Sequence, residues 1–399
     1  METQKLKEII LELNKKGIEY KQLEKDVEVY AYSQDASTIE ILPTLVLFPK
    51  NKDEIKEIIK ICKENQISLT ARGAGTNLVG NALNDEVIID LSRLNNIIEI
   101  NEKEKYAIVE PGVICNNLNR KLKETVFPVI PSSHRVCTIG GMINCNSAGN
   151  WSYKFGKLEQ WIDEVIFLDA NCKEVSSKEI IGSEGLLGIV IRAKLRLISK
   201  PRVRIESKEY SNINEMLEDL KNYKNNENTI MLEVVDKQCS KELLNSDKII
   251  LLAGLLDDKA KEQEYEDILR IREKAYPTLA EKGFILIEDP QIPEENLDKF
   301  LGFLEENNIP YFGHIGSGII HPCFKKDQKE LIKKMYQVVK ELKGKVSGEH
   351  GIGLKKLEFV DEEFANKLIE LKKRYDPYDI FNRKLSNALK EKIKAKASN

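Results

Sequence analysis

Three of the four histidines in this 399-residue chain fall in two glycine-rich stretches near its end. The first reads Gly313-His314-Ile315-Gly316-Ser317-Gly318-Ile319-Ile320-His321-Pro322 and the second Ser347-Gly348-Glu349-His350-Gly351-Ile352-Gly353. Two imidazoles and one carboxylate with open positions suit a borderline divalent ion such as Zn²⁺, Mn²⁺ or Fe²⁺. Spacing alone does not bring the two stretches together.

A different chemistry is written near the start, in Arg72-Gly73-Ala74-Gly75-Thr76-Asn77-Leu78-Val79-Gly80. Glycines let the backbone take positive φ and approach a ligand closely. Successive N–H groups in such a turn form an anion cradle, to which Arg72 and Thr76 add a charge and a hydroxyl. Phosphate fits; a plain glycine-rich surface turn has the same composition. No Gly-Lys-Ser/Thr follows, so this is not a P-loop, nor is it the Gly-x-Gly-x-x-Gly of a dinucleotide-binding βαβ unit. A second loop follows, in which Pro131-Ser132-Ser133 leads to Cys137–Asn144 and Asn146–Asn150, and a glycine-rich stretch comes later at Gly182–Val190.

The elements that must position these residues follow from periodicity. Residues 1–40 read as a lead-in helix and connector. Between 41 and 199, short strands (43–49, 67–71, 87–91, 106–110, 164–168, 190–197) alternate with helices (53–65, 116–125). Ser199-Lys200-Pro201-Arg202 marks a boundary. Beyond it, strands at 204–210 and 229–235 and helices at 214–223, 258–281 and 294–307 predict a sheet with helices on one face. From 326 onward the chain reads as helical, interrupted at 347–353, with a solvated lysine-rich end at 390–399. The fold class expected is α+β.

The formal net charge is −3, with Lys and Arg interspersed among Asp and Glu. No basic face points to nucleic acid. Apolar runs such as 249–256 are too short to span a bilayer, and the amphipathic start is no signal peptide, so a cytoplasmic protein is expected. Seven scattered cysteines without a Cys-x-x-Cys pair read as reduced thiols and exclude the usual iron–sulfur ligation in this chain.

Taken in order from Tyr32-Ser33-Gln34-Asp35 nearly to the C-terminus, these motifs resemble the vanillyl-alcohol-oxidase/PCMH superfamily. The resemblance is to the branch that holds the flavin-binding subunit of glycolate oxidase, D-lactate dehydrogenase and D-2-hydroxyglutarate dehydrogenase. It implies a PCMH-type FAD-binding domain at 41–199 and an FAD-linked oxidase C-terminal domain at 200–399. The latter would comprise an α+β cap at about 200–330 and a helical segment at about 331–399. FAD would be dissociable, since no His or Cys stands where relatives attach it. It would be held by Arg72, Gly73, Ala74, Gly75, Thr76, Asn77 and Gly80, by Pro131, Ser132, Thr138, Gly140, Gly141, Asn144, Ser147, Ala148 and Gly149, and by Glu184, Gly188, Ile189 and Asn382.

The same resemblance makes His314, His321 and Glu349 metal ligands, His350 the substrate-facing base and Arg272 the partner of a substrate carboxylate. A solvated arginine on a charged helix is the other reading of Arg272. Ser317 and Ile319 stand where the branch has Asp and Asn, and Ile287 where hydroxyglutarate enzymes have Lys; these departures bear on the substrate. The implied activity is oxidation of a D-2-hydroxy acid, with hydride passing to flavin N5 and on to a non-oxygen acceptor. That acceptor would be an iron–sulfur protein or an electron-transfer flavoprotein. A non-catalytic flavin subunit and an alkyl-dihydroxyacetonephosphate synthase-like enzyme are the alternatives.

Overall fold

The computed structural model describes residues 3–397, without the side chains of residues 3, 262–264 and 396–397. A helix, Thr3–Lys16, leads into a four-stranded sheet ordered Tyr20–Gln22, Leu45–Leu47, Val87–Asp90, Leu69–Arg72. The last three strands are parallel. They read as near-continuous apolar runs because the sheet is covered, on one face by helix Lys52–Glu64 with its buried Ile55, Ile58, Ile59 and Cys62. Leu69–Arg72 delivers the chain directly into the first glycine stretch.

A second sheet is antiparallel, ordered Ile97–Asn101, Tyr106–Val109, Ile189–Arg196, Ile162–Leu168, Glu174–Ser176. The edge strand 97–101 escapes the sequence reading because Ile98 is exposed and no clean alternation marks it. Thr138–Cys145, expected as loop, contains the helix Ile139–Cys145, and Thr138 Oγ accepts from Gly141 N–H at 3.3 Å as its cap. Its glycines are there for closeness: a Cβ on Gly140 would sit 2.7 Å from Pro111 Cβ.

The third sheet, six-stranded and antiparallel, runs Val203–Tyr210, Ile249–Leu256, Thr229–Val235, Tyr311–His314, Ile319–Phe324, Leu286–Ile287. The expectation of helices on one face is corrected: both faces are covered. Helices Ile213–Lys224, Leu297–Glu306 and Lys329–Glu341 pack on one side. Lys237–Leu244, Glu262–Glu273 and Ala275–Glu281 pack on the other. All seven residues of Thr229–Val235 are buried, which a one-sided sheet does not require. The single helix expected at 258–281 is two, broken at Lys274, where Pro277 in the first turn of the second helix offers no N–H to continue the ladder.

The first histidine stretch is likewise not a loop. It is a hairpin, Tyr311–His314 against Ile319–Phe324, with Gly318 in the left-handed region at the turn.

After helix Glu362–Tyr375 the chain returns to the first sheet. Leu69 N–H donates to Ile380 C=O at 2.7 Å, and Asn382 N–H donates to Leu69 C=O at 2.9 Å. The buried Lys372 ammonium secures this return, donating to Asp376 at 2.7 Å and to the carbonyls of Leu186 and Phe381. The last helix, Arg383–Ala397, carries the lysine-rich end; residues 398 and 399 lie outside the described part. Removing one member of a buried ion pair strands its partner, so Lys372→Met should lower stability by about 3 kcal/mol. Urea unfolding followed by circular dichroism measures this directly.

Candidate active site

Register decides which side chains meet on the third sheet. The hairpin pairs Phe312 with His321 and His314 with Ile319, so His314 and His321 project from the same face as diagonal neighbours. Strand Thr229–Val235 pairs with Tyr311–His314 such that Val234 faces Gly313 and Val235 faces Phe312. Glu233 therefore falls beside His314, and its carboxylate accepts a short hydrogen bond from His314 Nδ1. His321 Nδ1 lies 3.3 Å from the Glu288 carbonyl oxygen. Both imidazoles thus commit Nδ1–H to a neighbour and turn Nε2 inward, the arrangement that fixes the tautomer of a metal-ligating histidine.

Glu349 completes the cluster from the second stretch. Its oxygens lie 3.3 Å from His321 Nε2 and 3.8 Å from His314 Nε2. One ligand atom from each of the three residues falls within 4.8 Å of the others. That donor set fits a divalent cation, with open positions for substrate. Burial favours a neutral His321 and lowers its pKa. Burial would raise the Glu349 carboxyl, but the neighbouring imidazoles of His321 and His350 outweigh it and hold the group well below its usual range.

His350 Nε2 sits 3.1 Å from Glu349, and its Nδ1 sits 3.5 Å from Asp289. Burial alone lowers an imidazole's pKa, yet these two carboxylates raise His350 to about 9. Asp289 is fully buried and organises the stretch. Its Oδ2 accepts from the backbone N–H groups of Gly348, Glu349 and His350 at 3.1, 2.9 and 2.9 Å and from the Ser347 hydroxyl at 2.8 Å. Desolvation opposes this charge, but the buried Lys356 ammonium against Oδ1, with His350, keeps it ionised far below its ordinary range.

Arg272 is 3 % exposed, which removes its reading as a solvated surface arginine. Its Nε donates to Glu233 at 2.7 Å, its guanidinium carbon lies 4.6 Å from the centre of the Phe312 ring, and its buried Nη2 has no partner.

One cleft of about 540 Å³ joins this cluster to the first glycine stretch. Arg72 through Asn77 line it, as do Pro131, Ser132, Thr138, Gly140, Gly141, Asn144, Ser147 and Glu184. Arg272, Ile287, Phe312, His321, Glu349 and His350 line its other end. Gly80, Ala148, Gly149, Gly188, Ile189 and Asn382 lie outside these walls. Gly149 and Gly188 serve close packing, since a Cβ would strike the carbonyl oxygens of Ile130 and Leu168. Asn382 sits behind the wall and ties Asn81 C=O to Glu184 C=O at 3.2 and 2.9 Å. The Arg72 guanidinium is folded under its own loop, donating to Gln34 C=O at 2.7 Å, and it fills the space beside Gly75 that a Cβ would need. Main-chain walls at Gly73, Ala74, Gly75, Gly140 and Gly141 are the surface a dinucleotide pyrophosphate requires, so the cleft fits FAD.

Two family models match the chain: an FAD binding domain over residues 43–177 and the C-terminal domain of FAD linked oxidases over residues 206–385. The chain belongs to the FAD-linked oxidases.

Glycolate oxidase subunit GlcD of Bacillus subtilis is 28% identical to this FAD-linked oxidase, over 88% of this chain and 90% of the relative. D-lactate dehydrogenase of Anaerostipes hadrus is 25% identical over 85% and 88%. D-2-hydroxyglutarate dehydrogenase of Haemophilus influenzae is 26% identical over 87% of this chain but only 48% of its own length. A solved structure of alkyldihydroxyacetonephosphate synthase superposes with a TM-score of 0.71 at 17% identity, covering 94% of this chain and 84% of that one, a likeness of fold.

Glu233 and Asp289 are the residues that sequence reasoning missed in this FAD-linked oxidase. Glu233 carries a signal, as the one charged residue in Thr229–Val235. Asp289, beside Pro290 in an irregular segment, carries none.

His350 gives a pH prediction for protein treated with chelator. Its folded pKa of about 9 exceeds the ordinary 6.5, so its proton stabilises the fold fully below about 6.5. That contribution should fade as pH rises through about 9. Urea midpoints should fall across this window, and the fall should be smaller in His350→Gln.

Proposed function

We propose that this chain oxidises a small D-2-hydroxy acid, of the lactate or glycolate kind, to its 2-oxo acid. Electrons then pass to an acceptor other than oxygen. One observation carries the reading: His321 and Glu349, which cluster with His314, share a cleft with His350, Arg272 with its unpartnered Nη2, and glycine-lined dinucleotide walls. When bound, FAD supplies the two-electron acceptor for the α-hydrogen, and a divalent cation held by His314, His321 and Glu349 supplies a Lewis acid for the hydroxyl.

The remaining work belongs to side chains. Arg272, pinned by Glu233, offers Nη2 to the substrate carboxylate without having to reorganise. His350 takes the hydroxyl proton at Nε2 while Asp289 steadies Nδ1. With Glu349 engaged as a ligand, one of the two carboxylates that raise His350 would be withdrawn, which lowers its pKa and favours the free base. Ile287 and Phe312 make the adjoining wall apolar, which suits a hydrogen or methyl tail and penalises a second carboxylate. Ser317 faces away, its hydroxyl 2.8 Å from Ser152, so its departure from the family pattern leaves the cluster intact. Ile319, opposite His314, packs against Gly348.

The preserved cluster weighs against a non-catalytic flavin subunit. The relatives named as glycolate oxidase subunits support a partner chain; on this reading it accepts the electrons as an iron–sulfur protein or an electron-transfer flavoprotein. No described helix is long and apolar enough to cross a membrane.

A dye-reduction screen of D- and L-2-hydroxy acids on purified protein tests this reading. D-lactate or glycolate should be turned over; a faster L enantiomer with oxygen as acceptor would sink it. Ile287→Lys should shift preference toward a hydroxy dicarboxylate, read as the ratio of kcat/KM values.

The cluster's two roles should separate on mutation. His314→Ala and His321→Ala should lose metal and turnover together while keeping FAD. His350→Ala should keep both groups yet reduce flavin about 10²–10⁴-fold more slowly. If metal content instead falls in His350→Ala, positions 349 and 350 exchange roles.

A further inference from the structure

The loop that carries Glu349 and His350 does not belong to one half of the molecule. Its first half hangs from Asp289, on the same side as the histidine hairpin. Its second half hangs from Glu184, in the Gly182–Gly185 turn of the N-terminal half. The two Glu184 oxygens accept from Ile352 N–H at 2.8 Å and Gly353 N–H at 2.6 Å.

Glu184 is 3 % exposed, holds φ at 55°, and receives a further bond from Asn81 at 3.3 Å. A non-glycine residue kept in the left-handed region is held there by its surroundings. Its carboxylate is spent on this docking.

The first glycine stretch touches the same loop. Asn77 Nδ2 donates to His350 C=O at 3.2 Å. Val79 C=O accepts from Leu354 N–H at 2.8 Å and Lys355 N–H at 3.2 Å. A Cβ on Gly353 would collide with the Val79 carbonyl oxygen, so the two backbones are in contact. Asn77 and Glu184 also line the cleft that fits FAD.

We infer that Glu184 is a positioning residue which, with Asn77, couples the two sites, so that FAD and a divalent cation at His314, His321 and Glu349 bind with positive cooperativity. The inference rests on the metal reading proposed above. FAD filling the cleft restrains the 72–80 loop and the 182–185 turn. The 347–355 loop they hold is then ordered before the cation arrives, and the cation meets a smaller ordering cost. Asp289 holds the first half of the loop and Glu184 the second, so the occupancy of the cleft reaches the cation site through Glu184.

The test uses full-length protein stripped of FAD and the same protein reloaded, each titrated with Mn²⁺, with free Mn²⁺ counted by its electron paramagnetic resonance signal. FAD-loaded wild type should bind Mn²⁺ at least about fivefold more tightly than the stripped form, the low end of ordinary site–site coupling. FAD should bind more tightly in saturating Mn²⁺ by the same factor, because linkage is reciprocal.

Glu184→Gln replaces one acceptor oxygen with an amide that faces a backbone N–H. Where FAD still loads, the gain should shrink to within about twofold. The wild-type comparison needs no variant, so a misfolded Glu184→Gln leaves the test standing. Equal Mn²⁺ affinity in the two wild-type forms overturns the coupling and leaves the metal reading intact. Absence of Mn²⁺ binding in both forms overturns the metal reading and the coupling with it.

Discussion

Six consecutive backbone N–H groups, from Gly348 to Gly353, end on oxygens of three side chains. Asp289 takes the first three, Ser347 Oγ takes Gly351 at 2.9 Å, and Glu184 takes the last two. The stretch holds three glycines and no regular secondary structure, so without these acceptors it would be mobile. A buried N–H left without a partner costs about 1–3 kcal/mol, and three of the six, at Gly348, Ile352 and Gly353, are buried. Two buried carboxylates meet this demand, one of them kept ionised by Lys356. The positions of Glu349 and His350 follow from it.

The other half of the cluster is positioned by register. A hairpin fixes which residues share a face, and two strands in register place Glu233, His314 and His321 together on the third sheet. Glu233 then serves two donors, His314 through one oxygen and Arg272 through the other. Burial raises a carboxyl, but these two neighbours outweigh it and keep Glu233 charged. Losing Glu233 would release both the tautomer of one metal-facing imidazole and the aim of the arginine. A rigid sheet face thus supplies two ligands, and a clamped loop supplies the third.

Much of this was legible in the sequence, for identifiable reasons. The glycine stretch at 72–80 and the histidine-bearing stretches combine residue types that chemistry needs, and those types are scarce enough here to stand out. The carboxylates behind them are not scarce, since the chain has 65 Asp and Glu. Asp289 acquires its role only through tertiary contacts, so no local pattern announces it, and Glu233 shows only as the one charge in a buried strand. Glycine also misled where it served closeness and not flexibility: Gly140 and Gly141 open a helix, and Gly313 and Gly318 belong to a hairpin. The second face of the third sheet was missed because alternation cannot distinguish a strand covered on both sides from a buried helical run. Pro277 was a break signal present in the sequence and passed over.

Amide hydrogen exchange over the peptide containing residues 348–353 tests the clamp most directly. If Asp289, Ser347 and Glu184 hold these N–H groups, the segment should exchange as slowly as the buried strand Ile319–Phe324, despite its three glycines. Exchange as fast as in the exposed 257–261 turn would mean that the loop is not held, and the placement of Glu349 and His350 would lose its physical basis.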